Sequence, residues 1–350
     1  MPVEGPKILS SESVEMRVLN EPFPKIIGNG GTGKGRKMTK LGSSRFACLY
    51  GIGILKRLLT QSLRYSSLLS QRNNRLFVKI FTMKTADHLQ TFGYSEAASL
   101  LSPAQLEQTL SAKVKYPDRL LPWLKGRHAV DRTTAEIAQH PQLLKILRGI
   151  LGEDILLWGS QIIRQKPGKK FRWHVDQEHK VWNGVSVWIG LKNVQPFKSV
   201  SIVSGSHLFN SDPADCLSDG CDPQQLQLVV SKQSGDSKIV DLNIKDGEFF
   251  IFHGKTWHAT RNETGSSRFA LLLQYCTPDQ KVRAVKDMDY PHIKWHSFSP
   301  ECLLVSGNDR HKVNRVITME QVGTLDRKFK SAFVYAPQTL VYKIGKRLFA

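Results

Sequence analysis

Three potential metal ligands and one arginine are the residues of this sequence whose types and spacing could carry out chemistry. His174 and Asp176 are separated by one residue, His258 follows more than eighty residues later, and Arg268 stands ten residues beyond it. Two imidazoles and a carboxylate on one side of a metal form a facial triad, a mononuclear iron site with positions open for a bidentate cosubstrate and dioxygen. The guanidinium group could bind a carboxylate of that cosubstrate through two parallel hydrogen bonds.

The spacing of the first two ligands suits a β-strand. Side chains two apart on a strand point to the same face, so His174 and Asp176 can reach one metal while Val175 turns away. An isolated His-x-Asp is weak evidence in a chain with 11 histidines. Its alternative interpretation is a surface histidine and a turn aspartate that follow the loop of residues 165–170.

Two histidines compete for the place of the third ligand. His253 ends the apolar, strand-like residues 248–252, whereas His258 lies five residues further into the predicted loop. Periodicity does not choose between them. His207 follows a Gly-Ser turn, where turn-stabilising hydrogen bonds are its expected role, and we expect His179 to be a solvated residue close to the pair.

The elements that must position these residues change character near Gly152. Between residues 85 and 152, apolar positions recur at helical spacing. From 153 to 280, short apolar or alternating runs are separated by turn residues, which is typical of an antiparallel barrel or jelly roll. The predicted strands are residues 154–164, 185–191, 199–203, 238–244, 248–253 and 268–276. The sequence therefore predicts an α+β, mainly β fold, with a jelly-roll core and N-terminal helices packed on it.

Four motifs, in this order along the chain, resemble the phytanoyl-CoA dioxygenase family of iron(II)/2-oxoglutarate-dependent oxygenases. They are WHVD at residues 173–176, VSVWIGL at 185–191, SGSH at 204–207, and the stretch 247–268 with its two histidines and an asparagine. The resemblance covers residues from about 90 to about 280. It implies a double-stranded β-helix core, Fe(II) as the metal, and 2-oxoglutarate and O2 as cosubstrates.

The resemblance also implies which residues hold the metal. His174, Asp176 and His258 match the iron ligands, because the family's spacing from the last ligand to the arginine favours His258 over His253. Arg268 matches the residue that pairs with the distal carboxylate of 2-oxoglutarate.

Two further residues are candidates for the cosubstrate pocket. Trp188 matches a family position that lines this pocket, although core packing explains a tryptophan in such an apolar run equally well. Gln161 lies on the strand before the His-x-Asp pair. It either reaches the cosubstrate or is a hydrogen-bonded amide of the core.

The implied reaction is hydroxylation of a small-molecule metabolite, with release of succinate and CO2. Related halogenases replace the carboxylate ligand with a small residue, so Asp176 argues against chlorination. Desaturation and ring formation stay open. The alternative from another class is a cupin-like, metal-dependent isomerase or metal-binding module that uses the same ligands without oxygenase activity.

The residues around the pair give two hints about the substrate. The first is a basic group that could attract an anionic substrate or form a solvated rim: Lys169, Lys170, Arg172 and Lys180. The second is a set of aromatic residues suited to an apolar pocket wall or to the core: Trp182, Trp257 and Phe197.

The net charge of +20 is unevenly distributed. Residues 1–82 carry fourteen Lys or Arg against four Glu, and we interpret them as a basic, poorly ordered extension or an artefact of start-site assignment, with residues 83–350 as a single oxygenase domain. A membrane-surface or targeting role of 43–82 is the alternative. Later residues mix both signs and contain no nucleic-acid-reading motif, so no nucleic-acid partner is expected.

The remaining composition is that of a globular protein in a reducing compartment. No apolar run approaches the roughly 18 residues of a membrane helix. The five cysteines form no CxxC pair, and their odd number favours reduced thiols and a cytoplasmic location.

Overall fold

The computed structural model describes residues 85–118, 121–176, 183–217, 223–283 and 299–324. All of them belong to one compact unit, Ser67–Ala350. Residues 1–82 lie outside the described residues, so their interpretation as a basic extension, like the extent of the oxygenase domain, stays a prediction.

Helices precede most of the sheet structure, as the periodicity predicts. Residues 85–92 are helical, and four further helices follow: α1 (Pro103–Lys115), α2 (Arg127–Val130), α3 (Arg132–Ala138) and α4 (Pro141–Leu151). Ser102 begins α1 with a capping box that it shares with Gln105. Gly152, at φ +86°, follows the last residue of α4 in a conformation that favours glycine.

The described residues contain eleven strands. They are β1 (Ala98–Ser99), β2 (Ile155–Gln165), β3 (Lys170–His174), β4 (Val185–Lys192), β5 (Val200–Val203), β6 (Ile239–Asp241), β7 (Glu248–His253), β8 (His258–Arg261), β9 (Arg268–Cys276), β10 (Glu301–Ser306) and β11 (Arg315–Ile317). A larger sheet has the order β1-β7-β4-β9-β2-β10-β11, and a smaller one has the order β3-β8-β5-β6. All pairs are antiparallel except β10 with β11.

The larger sheet separates two apolar clusters because side chains alternate along its strands. On β4, Val187 and Ile189 pack with residues of α3 and α4. Trp188, between them, faces the opposite way and packs with Val200 and Ile202 of the smaller sheet. The first cluster holds the helices against the larger sheet, and the second fills the space between the two sheets.

These layers confirm the predicted α+β fold with a jelly-roll core and N-terminal helices. Two parts were not predicted. The first is an insertion between β5 and β6 with the short helices α5 (Pro213–Cys216) and α6 (Pro223–Gln233). Its helical signal is weak, since only Leu226 and Val230 of α6 are buried. The second is the pair β10 and β11, which lengthens the larger sheet beyond residue 280.

The structure contains no membrane-crossing element among its helices. In the ranges given above, none of them combines the length and the apolar character that a span needs.

Candidate metal centre

The smaller sheet brings the two halves of the predicted triad together. His174 ends β3 and His258 begins β8, and the two are direct partners across the antiparallel pair. The prediction that His258 lies in a loop was wrong, because β8 starts at this residue. Asp176 follows β3 by two residues, and its backbone N–H donates to the carbonyl of Gly254 at 3.1 Å.

The side chains of His174, Asp176 and His258 converge on one point. Their ligand atoms all lie within 4.8 Å of one another, and no other such His/Cys/Asp/Glu group occurs in the part of the chain that the structure describes. Asp176 Oδ1 is 3.9 Å from His258 Nε2, and the two imidazole centroids are 4.1 Å apart. Asp176 and His258 are each only 7% exposed.

Hydrogen bonds aim both imidazoles in the same way. His174 Nδ1 lies 2.9 Å from the carbonyl of Arg172, and His258 Nδ1 lies 2.9 Å from the carbonyl of Thr256. Each Nδ1 therefore carries the proton that it donates, which leaves Nε2 with a lone pair for a metal. Burial and the neighbouring His258 lower the pKa of His174 to about 3, so it is neutral at physiological pH.

Two buried side chains hold one oxygen of the aspartate. Ser186 Oγ donates to Asp176 Oδ2 at 2.5 Å, and Gln274 Nε2 donates to the same oxygen at 2.9 Å. Ser186 and Gln274 are partners on β4 and β9, and both are fully buried. Oδ1, the oxygen nearer His258, is thus the one that is presented to a metal.

A second set of bonds fixes the segment that leads into His258. The hydroxyl of Thr256 donates to the carbonyl of Gly93 at 2.7 Å, and the backbone N–H of His253 donates to the same carbonyl at 2.8 Å. Gly93 has φ +80°, and a Cβ there would lie 2.5 Å from His207 and 2.7 Å from Thr256. The chain after the helical residues 85–92 therefore supports the backbone on which His258 depends.

Arg268 begins β9, in the space between the two sheets, and is only 2% exposed. Its Nη1 donates to the carbonyls of Ser199 and Arg261, at 2.6 and 2.9 Å, and its Nη2 donates to the side chain of Gln165. Burial lowers the pKa of Arg268 to about 10, which leaves it cationic at neutral pH. No acidic side chain in the described ranges forms an ion pair with it.

Aromatic rings connect the arginine to the histidines. The guanidinium carbon of Arg268 is 5.4 Å from the ring of Trp188. The ring centroid of Phe250 is 5.9 Å from that of Trp188 and 5.4 Å from that of Phe252. The ring centroid of Phe252 is in turn 4.7 Å from that of His258. A buried cation and a group of three metal-ligand side chains thus border the same apolar cluster.

Comparison with known proteins agrees with this arrangement. Residues 121–270 match the model of the phytanoyl-CoA dioxygenase family. The chain carries a phytanoyl-CoA dioxygenase domain. The match confirms, over these residues, the resemblance to this family of oxygenases that the sequence motifs predict. It includes β2 to β8 and the start of β9, with all three ligand side chains.

Solved structures share the fold of the phytanoyl-CoA dioxygenase domain. A structure described as the non-heme monooxygenase ThoJ in its apo form has a TM-score of 0.51 at 19% identity, and covers 75% of this chain and 99% of its own. Its nickel complex has a TM-score of 0.50 at 20% identity, with 73% and 98% covered. CytC3 with Fe(II) and alpha-ketoglutarate has a TM-score of 0.50 at 16% identity, with 67% and 92% covered.

The remaining predicted residues of the phytanoyl-CoA dioxygenase domain lie at different distances from the site. Trp188 contacts Arg268, as described above. Gln161 is half-buried on β2, opposite Leu272 of β9, and its side chain has no hydrogen bond to the described residues. Both interpretations of Gln161, a contact to the cosubstrate or a hydrogen-bonded core amide, stay predictions.

Two further histidines that the sequence singles out, His253 and His207, are outside the ligand group. His253 ends β7, accepts from the backbone N–H of Lys255 at 3.2 Å, and has its ring 5.5 Å from that of His207. His207 Nε2 lies 3.1 Å from the carbonyl of Gln90, which agrees with a structural role. His179, Lys180 and Trp182 lie outside the described residues.

Of the aromatic candidates, Trp257 is fully buried and packs on Phe209 in a cluster with Val175, so it belongs to the core. Phe197 is 55% exposed. The exposed residue beside the metal centre is Phe171, whose ring is 4.8 Å from that of His174.

Sequence reasoning missed the residues that support the ligands in this phytanoyl-CoA dioxygenase domain. Ser186 and Gln274 are polar residues inside apolar strands, a signal that could have identified them. Lys125 was missed too. Its ammonium lies 5.3 Å from the ring of Trp158, and its charge contributes to the lowered pKa of His174, so it is near the metal centre.

Proposed function

We propose that this protein is an iron(II)- and 2-oxoglutarate-dependent dioxygenase that hydroxylates a small-molecule metabolite and releases succinate and CO2. The observation that carries the proposal is the pairing of two features at one apolar cluster. One is the His174, Asp176 and His258 group, and the other is the buried cation Arg268, which forms no ion pair with an acidic side chain of the described residues.

The donor set fits iron(II). Two imidazole nitrogens and one carboxylate oxygen form the 2-His-1-carboxylate arrangement, which leaves positions open for other ligands. When bound, iron and 2-oxoglutarate supply the oxidising chemistry. The protein contributes orientation, because backbone carbonyls fix the two imidazoles, and Ser186 and Gln274 fix the carboxylate.

The arginine fits the distal carboxylate of 2-oxoglutarate. A buried cation without a counter-charge is costly, so its site favours binding of an anion. Gln165 and two carbonyls hold the guanidinium in place. The ring of Trp188 lies over the guanidinium group. Gln161 lies on the same side of β2 as Gln165 and provides a side-chain amide for a bound ligand.

The substrate belongs to the proposal as well. Of the basic residues near the ligands, Lys169 precedes β3, and Lys170 and Arg172 lie on it. They favour a substrate that carries a carboxylate or phosphate group. Phe171 provides an apolar surface next to His174. A small, anionic, partly apolar metabolite suits both features.

Uncoupled turnover separates this function from the isomerase or metal-binding alternative. We expect purified protein with Fe(II) and O2 to convert 2-oxoglutarate slowly to succinate even without the prime substrate, and we expect His258→Ala to abolish the conversion. Succinate is measured by mass spectrometry. If the folded, iron-loaded protein forms no succinate above the His258→Ala control, and candidate metabolites do not stimulate it, the oxygenase proposal is wrong.

A further inference from the structure

A cavity of about 850 Å³ lies on the side of the smaller sheet that faces away from the metal centre. Strands β3, β5, β6 and β8 form one wall, and the insertion with α5 and α6 forms the other. This volume lies within the roughly 300–1,000 Å³ that is usual for small-molecule sites.

Strand alternation separates this cavity from the metal. His258 is the partner of His174 and Ile202, and it points between the sheets. Its neighbour Ala259 is the partner of Ser201, so both point to the opposite face, and both line the cavity. No metal-ligand residue is in the lining, and the cavity comes nearest to the ligands at the edge strand β3, where Phe171 lines it with its ring 4.8 Å from that of His174.

One side of the cavity is apolar. The insertion contributes prolines and aliphatic side chains, and the sheet adds Trp173 and Ile239. The insertion residues concerned are Pro213, Ala214, Leu217, Pro223 and Leu226. This wall suits the body of an organic molecule better than it suits a simple ion.

The other side is charged and has a net positive balance. Arg261 Nη1 is 3.0 Å from Asp241, and its Nε is 3.3 Å from Glu263. Burial would raise the pKa of Asp241, but hydrogen bonds from Arg261 and Ser201 outweigh burial and lower it. These two carboxylates are thus already paired, and Lys170 and Arg172 add two more cations to the lining.

Lys170 is the cation that a ligand can use directly. It is exposed on β3, opposite Arg261. No carboxylate in the described ranges lies within salt-bridge distance of its ammonium group. An anionic group at this position would gain a charge-assisted hydrogen bond without breaking an existing pair.

We propose that this cavity binds an anionic small molecule with an apolar body, with its acidic group at Lys170 and its body against the wall formed by α5 and α6. The site is separate from the iron and 2-oxoglutarate site. Its ligand is either the distal part of an extended substrate that passes around β3, the edge strand of the smaller sheet, or a separate effector.

The probe is 8-anilinonaphthalene-1-sulfonate, an anionic aromatic molecule whose fluorescence rises in apolar surroundings. Its neutral counterpart, N-phenyl-1-naphthylamine, has the same body without the sulfonate. At about 0.15 M salt, screening limits the influence of a charge to roughly 8 Å. We expect Lys170→Glu to weaken binding of the sulfonate about tenfold, while Lys169→Glu changes it less than about twofold because Lys169 is not in the lining. Neither variant should change binding of the neutral probe.

A second pair of variants tests the location. Ala214→Trp fills the cavity from α5 and should abolish binding of both probes. Asp215→Trp, on the next and equally exposed residue, should retain it. Circular dichroism and the melting temperature establish that each variant is folded.

Two results would overturn the proposal: equal effects of the Lys169 and Lys170 variants, or unchanged sulfonate binding in folded Ala214→Trp. Neither depends on iron, so failure here is distinguishable from failure of the oxygenase proposal. Carboxylated and phosphorylated metabolites that displace the probe then identify the source. A displacer that stimulates succinate formation and is hydroxylated is a substrate, and one that is not consumed is an effector.

Discussion

The metal end and the arginine end of the space between the sheets are both buried and polar, but their charges are balanced differently. At the metal end, Asp176 faces two imidazoles that are already hydrogen-bonded through Nδ1, and burial lowers the pKa of one of them, His174, to about 3. At the other end, Arg268 has carbonyl and amide partners, and within the described part of the chain no carboxylate pairs with it. The first end therefore favours a cation, and the second favours an anion.

This difference explains how one cluster can select a chelating dicarboxylate. A metal completes the first end, and a carboxylate neutralises the second. The apolar rings of Trp188, Phe250 and Phe252 between them exclude water and strengthen both interactions. Each end should consequently fail separately when its own residues are changed.

The largest effect is expected when the carboxylate of the metal end is removed. Asp176→Ala removes the only carboxylate of the ligand group and should weaken Fe(II) binding by more than about 100-fold, since losing a group that merely hydrogen-bonds to a metal ligand already costs roughly 10–100-fold. Iron affinity is measured by anaerobic competition with a chelator. Asp279→Ala, an exposed aspartate outside the ligand group, is the control. Tight iron binding by folded Asp176→Ala would contradict the assignment.

Changing the arginine should separate the two ends. Arg268→Lys retains the charge but loses the bidentate hydrogen bonding to a carboxylate. We therefore expect 2-oxoglutarate to bind about 10–100-fold more weakly. Iron affinity should change less than about twofold, because no ligand depends on Arg268. Calorimetry with 2-oxoglutarate, anaerobic and with iron present, measures the first effect. If iron binding falls as much as 2-oxoglutarate binding, the two ends are not independent.

A smaller effect at the metal end is expected from Thr256, which supports the backbone carbonyl that aims His258. Thr256→Val removes the hydroxyl that bonds to Gly93 and should weaken iron binding about tenfold. Thr256→Ser retains the hydroxyl and should restore the affinity. Chelator competition is again the measurement, and equal losses in the Val and Ser variants would show that packing, rather than the hydrogen bond, is responsible.

The smallest effect is expected at His253. His253→Ala should change iron affinity less than about twofold, because its side chain lies outside the ligand group. His258→Ala should lose iron as Asp176→Ala does. Retained iron in the His258 variant together with loss in the His253 variant would reverse our choice between the two histidines.

The sequence predicts the three ligands of the metal end with unequal support. His174 and Asp176 stand two positions apart, which predicts that they share one site, although β3 ends at His174 and Asp176 lies just beyond it. The alternating runs identify most strands of the core. The choice of His258 came from family spacing, and its position at the start of β8 was not predicted because a four-residue strand has little periodicity.

The support of the ligands was not predictable from local pattern. Thr256 and Gly93 are separated by 163 residues, and Ser186 and Gln274 reach Asp176 from two other strands. Such contacts depend on sheet order and register. The same holds for the outer cavity, since the helices that close it lie in an insertion with few buried residues.

The most direct test of the two-ended site is an anaerobic titration of the iron(II)-loaded protein with 2-oxoglutarate, followed by the weak visible charge-transfer band of the chelate. We predict a saturable band with one 2-oxoglutarate per iron in the wild type. In Arg268→Lys the band should appear only at about 10–100-fold higher 2-oxoglutarate, and it should be absent in Asp176→Ala. A folded, iron-loaded wild-type protein that develops no band at saturating 2-oxoglutarate would contradict the account.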